Sequence, residues 1–87
     1  MTRPRLATGA RLHYDAVRSE HVLLVPEGIV RLNPSAVAVL ELCDGEHELD
    51  EIVSDLAERY DGADVSSDVR DLVAAMSERG LVVDAAG

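Results

Sequence analysis

Lysine, phenylalanine and tryptophan are absent from these 87 residues, and the only aromatics are Tyr14 and Tyr60. A core for this chain must therefore be built from Leu, Val, Ile and Ala. A single cysteine, Cys43, excludes an internal disulfide and fits a reducing, cytoplasmic setting. No apolar run approaches the ~18 residues of a membrane span. Residues 1–10 carry arginines but no apolar stretch, so they do not form a secretory signal. His13, His21 and His47 are scattered, without the spacing of metal ligands. There is no nucleophile–base pair, no phosphate-binding glycine loop and no usably spaced carboxylate dyad. The chain reads as a non-enzyme with no cofactor and no metal.

What is present is globular. The hydrophobic fraction is 47% and the charged fraction 29%, and the length suits one domain near the lower size limit for a single core. Charge is unevenly placed. Residues 1–40 hold five Arg and three acids, a balance of +2, whereas 41–87 hold three Arg and fourteen acids, a balance of −11, giving −9 in all. The acidic half disfavours nucleic acid and anionic membranes as partners. It either keeps a small domain soluble or suits a basic or polar protein partner.

Residues 1–10, with Pro4, Gly9 and no period, read as a flexible arm, and residues 11–84 as a single domain. Arg11–Asp15 alternates as a short strand. His21–Val25 is nearly unbroken apolar, a strand covered on both faces. Pro26-Glu27-Gly28 is a turn, and Gly28–Leu32 alternates as a third strand, giving an antiparallel meander. Asn33 caps a helix whose first position is Pro34. Its apolar stripe is Ala36, Leu40 and Cys43, with Val37 and Val39 beside them, and Asp44-Gly45 stops it. A second helix places Leu49, Ile52, Val53, Leu56 and Tyr60 on one face. A third, from Ser66 to Arg79, carries Val69, Leu72, Val73 and Met76, with Ser66, Ser67 and Asp68 supplying a cap and early negative charge. Gly80 ends it, Leu81-Val82-Val83 adds a short strand, and 84–87 is a tail. The fold class is α+β: a winged-helix-like domain, with a three-stranded antiparallel N-terminal sheet followed by a three-helix bundle. So small a sheet cannot close, and it leaves an edge strand open to another chain.

The stretch Leu23-Leu24-Val25-Pro26-Glu27-Gly28-Ile29-Val30-Arg31-Leu32-Asn33, with Leu42-Cys43-Asp44-Gly45, resembles the PqqD family of pyrroloquinoline quinone (PQQ) biosynthesis. Arg11-Leu12, Asp15 to Arg18, Ala36, Leu40, Glu51-Ile52, Leu56, Asp68-Val69 and Arg79-Gly80-Leu81 extend the resemblance over nearly the whole chain. Glu48 departs from it, since the family often has a Thr helix cap there. The resemblance implies a RiPP recognition element, a peptide chaperone that binds the precursor peptide PqqA and presents it to the radical SAM enzyme PqqE, which joins a Glu and a Tyr of the peptide. It further implies that the peptide adds as a strand to the third strand, Gly28, Ile29, Val30, Arg31 and Leu32. The third helix then forms the other wall, over Asp68, Val69, Leu72, Val73 and Met76. Alternatives are a recognition element for another modified peptide and a winged-helix DNA binder. The third helix, with two Arg against three acids, disfavours the latter. A homodimer is left open.

Several of these residues carry two readings. Cys43 is a buried core residue or a reactive thiol, and nothing in the sequence lowers its pKa. Asp44-Gly45 is a turn in which Asp bonds the following amides. Asp68-Val69 is first-turn charge plus core, or a contact with peptide. Gly28 serves turn geometry and also leaves room for an approaching strand. Arg31 is a solvated edge charge, or a partner for an acid of the peptide. Val30's N–H faces either the peptide or the second strand. In the third helix, Val69 and Val73 are the first candidates to reach the groove.

Overall fold

The computed structural model describes residues 2–86. Met1 of the expected arm and Gly87 of the expected tail lie outside the described residues. The elements are β1 (Pro4–Leu6), β2 (Arg11–Asp15), β3 (Glu20–Val25), β4 (Gly28–Arg31), α1 (Pro34–Glu41), α2 (Leu49–Arg59), α3 (Ser66–Glu78) and β5 (Val82–Asp84). The meander and the three helices stand as the sequence predicts, with β4 one residue shorter than Gly28–Leu32.

β2, β3 and β4 form an antiparallel sheet in that order. Two side-chain faces follow from its register. Leu12, Leu23 and Val30 share one face and pack on the core with Leu40, Ile52, Leu56, Val69 and Val82. Only the middle of β3 is closed off: Val22 and Leu23 are buried, while His21 is exposed and Leu24 and Val25 are half-buried. A strand covered along its whole length is thus too strong a reading of the apolar run.

The N-terminal residues correct the sequence reading. A flexible arm is expected over 1–10, but residues 4–6 are a strand, paired antiparallel with β5 in the register Pro4↔Asp84 to Leu6↔Val82. The other side of β1 is also bonded. Leu6 N–H donates to the Cys43 carbonyl, Gly45 N–H to Pro4 and Leu49 N–H to Thr2. The Asp84 carboxylate accepts from the N–H groups of Thr2 and Arg3 at 3.0 and 3.1 Å. The expected tail therefore begins inside a sheet.

Helix ends follow local chemistry. Asn33 Oδ1 accepts from Ala36 N–H at 2.8 Å and Pro34 opens α1, as the sequence predicts. The helix stops at Glu41, before Asp44-Gly45, so Cys43 lies just beyond it, buried, with its thiol donating to the Val39 carbonyl at 3.4 Å. Asp44 Oδ1 then accepts from Glu46 and His47 N–H at 2.8 and 3.3 Å, the expected turn. At α2, Glu48 and Glu51 form a capping box despite the absent Thr, with Glu51 reaching back to accept from Glu48 N–H at 2.9 Å. At α3 the cap is displaced. The N-cap is Val65, without a side-chain bond, and Asp64 Oδ1 accepts from Ser66 N–H at 3.1 Å, so Ser66, Ser67 and Asp68 lie inside the helix. Gly80, at φ 75°, ends α3 with Leu81 N–H bonding the Met76 carbonyl and Gly80 N–H the Ser77 carbonyl, a Schellman motif.

Candidate docking site

The site begins at the turn between β3 and β4. Pro26 and Glu27 join Val25 to Gly28, the closing pair of the hairpin. A turn of this length bonds its first carbonyl to its fourth N–H, so Val25–Gly28 is a bonded pair. Bonded and unbonded pairs alternate along an antiparallel ladder. Leu23–Val30 is then bonded, and Leu24–Ile29 and Val22–Arg31 are not. Val30 therefore turns its N–H and C=O to β3, while those of Ile29 and Arg31 face the open edge. Gly28, at φ 148°, holds a conformation that side-chain-bearing residues rarely adopt, and a Cβ there would meet nothing within 4 Å. Conformation, not crowding, demands this glycine.

The edge carries an exposed aliphatic side chain, Ile29, at 65% exposure, and one cation. The Arg31 guanidinium lies 3.2 Å from Glu20 Oε2. Arg31 is thus an edge charge already paired within the chain.

Past Leu32 the chain enters α1, and there a groove opens between α1, the end of α2 and the start of α3. Its volume is about 310 Å³. Ala36, Val39, Leu56, Val65, Val69 and Leu72 make it apolar, and Asn33, Ser35, Tyr60 and Asp68 are its polar lining. The edge of β4 and this groove are therefore consecutive along the chain, separated only by Leu32.

Sequence reading divides cleanly here. Asp68, Val69 and Leu72 line the groove. Val69, Val73 and Met76, at 2%, 3% and 7% exposure, all belong to the core, and of the three Val69 alone also lines the groove. Leu32 packs against the core and lines a separate depression with His21, Pro34 and Val37. The groove residues of α1 and α2, above all Tyr60 at 44% exposure, are absent from the sequence-based set. An exposed aromatic on an otherwise apolar stripe, just before Asp61-Gly62, was the signal available for it.

Groups with displaced pKa values lie away from this groove. Burial, helped by the Asp44 carboxylate, pushes the Cys43 thiol up to about 11, which keeps it protonated and inert. The His47 ring contact at 3.0 Å, with the Glu46 amide, holds the Asp44 carboxyl below its ordinary 3.8, and the same contact raises His47 above 6.5. The amides of Thr2, Arg3 and Ala86 hold Asp84 below 3.8. An open backbone edge beside an apolar trough is suited to binding an extended chain.

Comparison with known proteins gives the chain's relatives. Residues 20–82 match the family model described as "Coenzyme PQQ synthesis protein D (PqqD)". A "PqqA binding protein" of Rhizobium meliloti is 41% identical over 80 residues, covering 90% of this chain and 82% of its own. One from Methylococcus capsulatus is 38% identical over 72 residues, covering 83% and 77%. A "Bifunctional coenzyme PQQ synthesis protein C/D" of Methylorubrum extorquens is 40% identical over 81 residues, which are 91% of this chain but 22% of that protein. The fold matches the solution NMR structure of the PqqD truncation of Methylobacterium extorquens PqqCD, described as a functional and stand-alone RiPP recognition element. The TM-score is 0.77 at 36% identity, over 92% of this chain and 87% of that one. This chain belongs to the PqqD family.

Proposed function

We propose that this protein binds the precursor peptide PqqA and delivers it to the radical SAM enzyme PqqE. The observation that carries the reading is the open edge of β4, followed one residue later in the chain by an apolar groove walled by α1, the end of α2 and the start of α3. A peptide laid along β4 bonds the outward groups of Ile29 and Arg31 and continues the sheet as a fourth strand. Its side chains then reach the groove, where Val69, Leu72 and Tyr60 receive an apolar group. Backbone bonds supply affinity that is independent of peptide sequence, and the groove supplies selection.

The protein acts as a carrier. Its one thiol is buried and protonated, and its contribution is to raise the concentration of peptide at the enzyme. Two relatives named for PqqA binding and a solved recognition element support this reading. The test is titration of synthetic PqqA into isotopically labelled protein, followed by amide shifts. Shifts should concentrate at Ile29, Arg31 and residues 68–72. Shifts confined to β1, β5 and the 44–47 turn would overturn the site. Delivery is tested by incubating PqqA, PqqE, reductant and S-adenosylmethionine with and without this protein. Mass loss from cross-linking should be much reduced without it, and cross-linking by this protein in the absence of PqqE would overturn the carrier role.

A further inference from the structure

Among the described residues one carboxylate, Asp68, lines the groove. Asp68 sits in the first turn of α3 and lines the groove with Leu72, Val65 and Tyr60. Among the described residues no ion pair or side-chain hydrogen bond engages it. The nearest cation on its helix, Arg70, is drawn elsewhere: it bonds Asp50 Oδ1 at 2.6 Å and Ser66 Oγ at 3.3 Å. Among the described residues no arginine lines the groove, and Arg31 at the end of β4 is paired with Glu20. A docking segment thus meets an apolar trough with a fixed, unpaired negative charge at its wall.

Resting on the peptide-docking reading, we propose that the groove selects a segment in which a lysine or arginine adjoins a large apolar residue. The apolar side chain packs on Val69 and Leu72. The base lays its methylene stem along Leu72 and brings its charge to Asp68. Asp68 is then a specificity-determining residue, and the charge it reads is positive.

The test measures affinity of labelled synthetic PqqA for the wild type, Asp68→Asn and Asp68→Lys at low and high salt. A parallel peptide series replaces each Lys or Arg in turn by Gln or Glu. Asp68→Asn, which keeps size and removes charge, should weaken binding about two- to fivefold at low salt and flatten its salt dependence. One peptide replacement should reproduce that loss in the wild type and add nothing in Asp68→Asn. The Glu version of that peptide should bind Asp68→Lys better than it binds the wild type. Normal binding by the wild type, with neither Asp68→Asn nor any basic-residue replacement changing affinity, overturns the inference and leaves the docking reading standing. Failure of the wild type to bind PqqA overturns the docking reading, and this inference with it.

Discussion

In the sheet of β1 and β5, β1 is closed on both flanks. β1 is bonded to β5 along one flank and to Thr2-to-Leu49, Pro4-to-Gly45 and Leu6-to-Cys43 contacts along the other, and the Asp84 carboxylate caps its entry. The meander is left unfinished on the β4 side: among the described residues nothing pairs the outward backbone groups of Ile29 and Arg31, and the chain runs from them through Leu32 into the lining of an apolar groove. Both sheets are short and antiparallel. The difference is that one spends its backbone groups on holding the two ends of the chain together, and the other keeps a row of them in reserve. On the docking reading, the β1–β5 pairing and the β4 edge should each be open to damage without the other.

The largest expected effect comes from breaking the closed sheet. Deleting residues 2–7 removes β1, exposes its β5 partner and strips the buried Pro4 and half-buried Leu6 from the core. A loss of about 2–3 kcal/mol should lower Tm by roughly 10–20 °C, read by circular dichroism. Material that remains folded should still bind PqqA. Retained Tm would show that β1 is an ornament.

Proline substitution tests the strand alternation directly. Val30→Pro removes an N–H that faces β3 and should destabilise by about 1–3 kcal/mol. Ile29→Pro removes one that faces the open edge and should weaken PqqA binding while leaving thermal stability nearly intact. Chemical denaturation and calorimetric titration separate the two. The reverse pattern would place the docking edge elsewhere.

Alanine scanning of α3 should show the same division on one helix. Val73→Ala, at a core position, should lower stability by about 1–3 kcal/mol with affinity retained. Leu72→Ala, at the groove, should cost less stability and more binding. Equal stability loss and unchanged affinity at both positions would remove the groove from the site.

The smallest effect is a pH dependence confined to the closed sheet. Asp84 has a folded pKa below its ordinary 3.8, first through its bond from Thr2 and then through those from Arg3 and Ala86. A depressed folded pKa means that its stabilising contribution is present above about pH 3.8 and is lost as pH falls through the folded value. Faster amide exchange at Thr2 and Arg3 should therefore set in below that pH, and Asp84→Asn should abolish the transition. Ile29 and Arg31 amides should show no coupled change.

The contrast also explains what could be read in advance. The meander, α1 with its Asn33–Pro34 start and the Gly80 stop are encoded within a few residues of themselves, so period and turn chemistry reveal them. β1 is not. Pro4-Arg5-Leu6 has no period, and its partners lie at the far end of the chain, as Thr2 and Asp84, 82 positions apart, illustrate. The groove was half legible for the same reason. Its α3 wall follows from the resemblance and the apolar stripe, but which stripe residues face the groove depends on where α1 and α2 pack. That packing admits Val69 and Leu72, takes Val73 and Met76 into the core, and adds Tyr60. At α3, Asp64 supplies the bond expected from Ser66 and its neighbours because the helix starts one residue after Val65 rather than at a serine cap.

The pairing of β1 with β5 has a mechanical consequence. Pro4 faces Asp84, so the first residue of one strand lies beside the last residue of the other. A force pulling the two ends apart loads this pair first and peels the strands open one rung at a time. It does not shear all the rungs together, and peeling demands the lower force. The fold should thus resist heat through its core yet yield readily to tension applied at its ends. Traction through a fused or tethered neighbour would open the closed sheet before it reached the β4 edge.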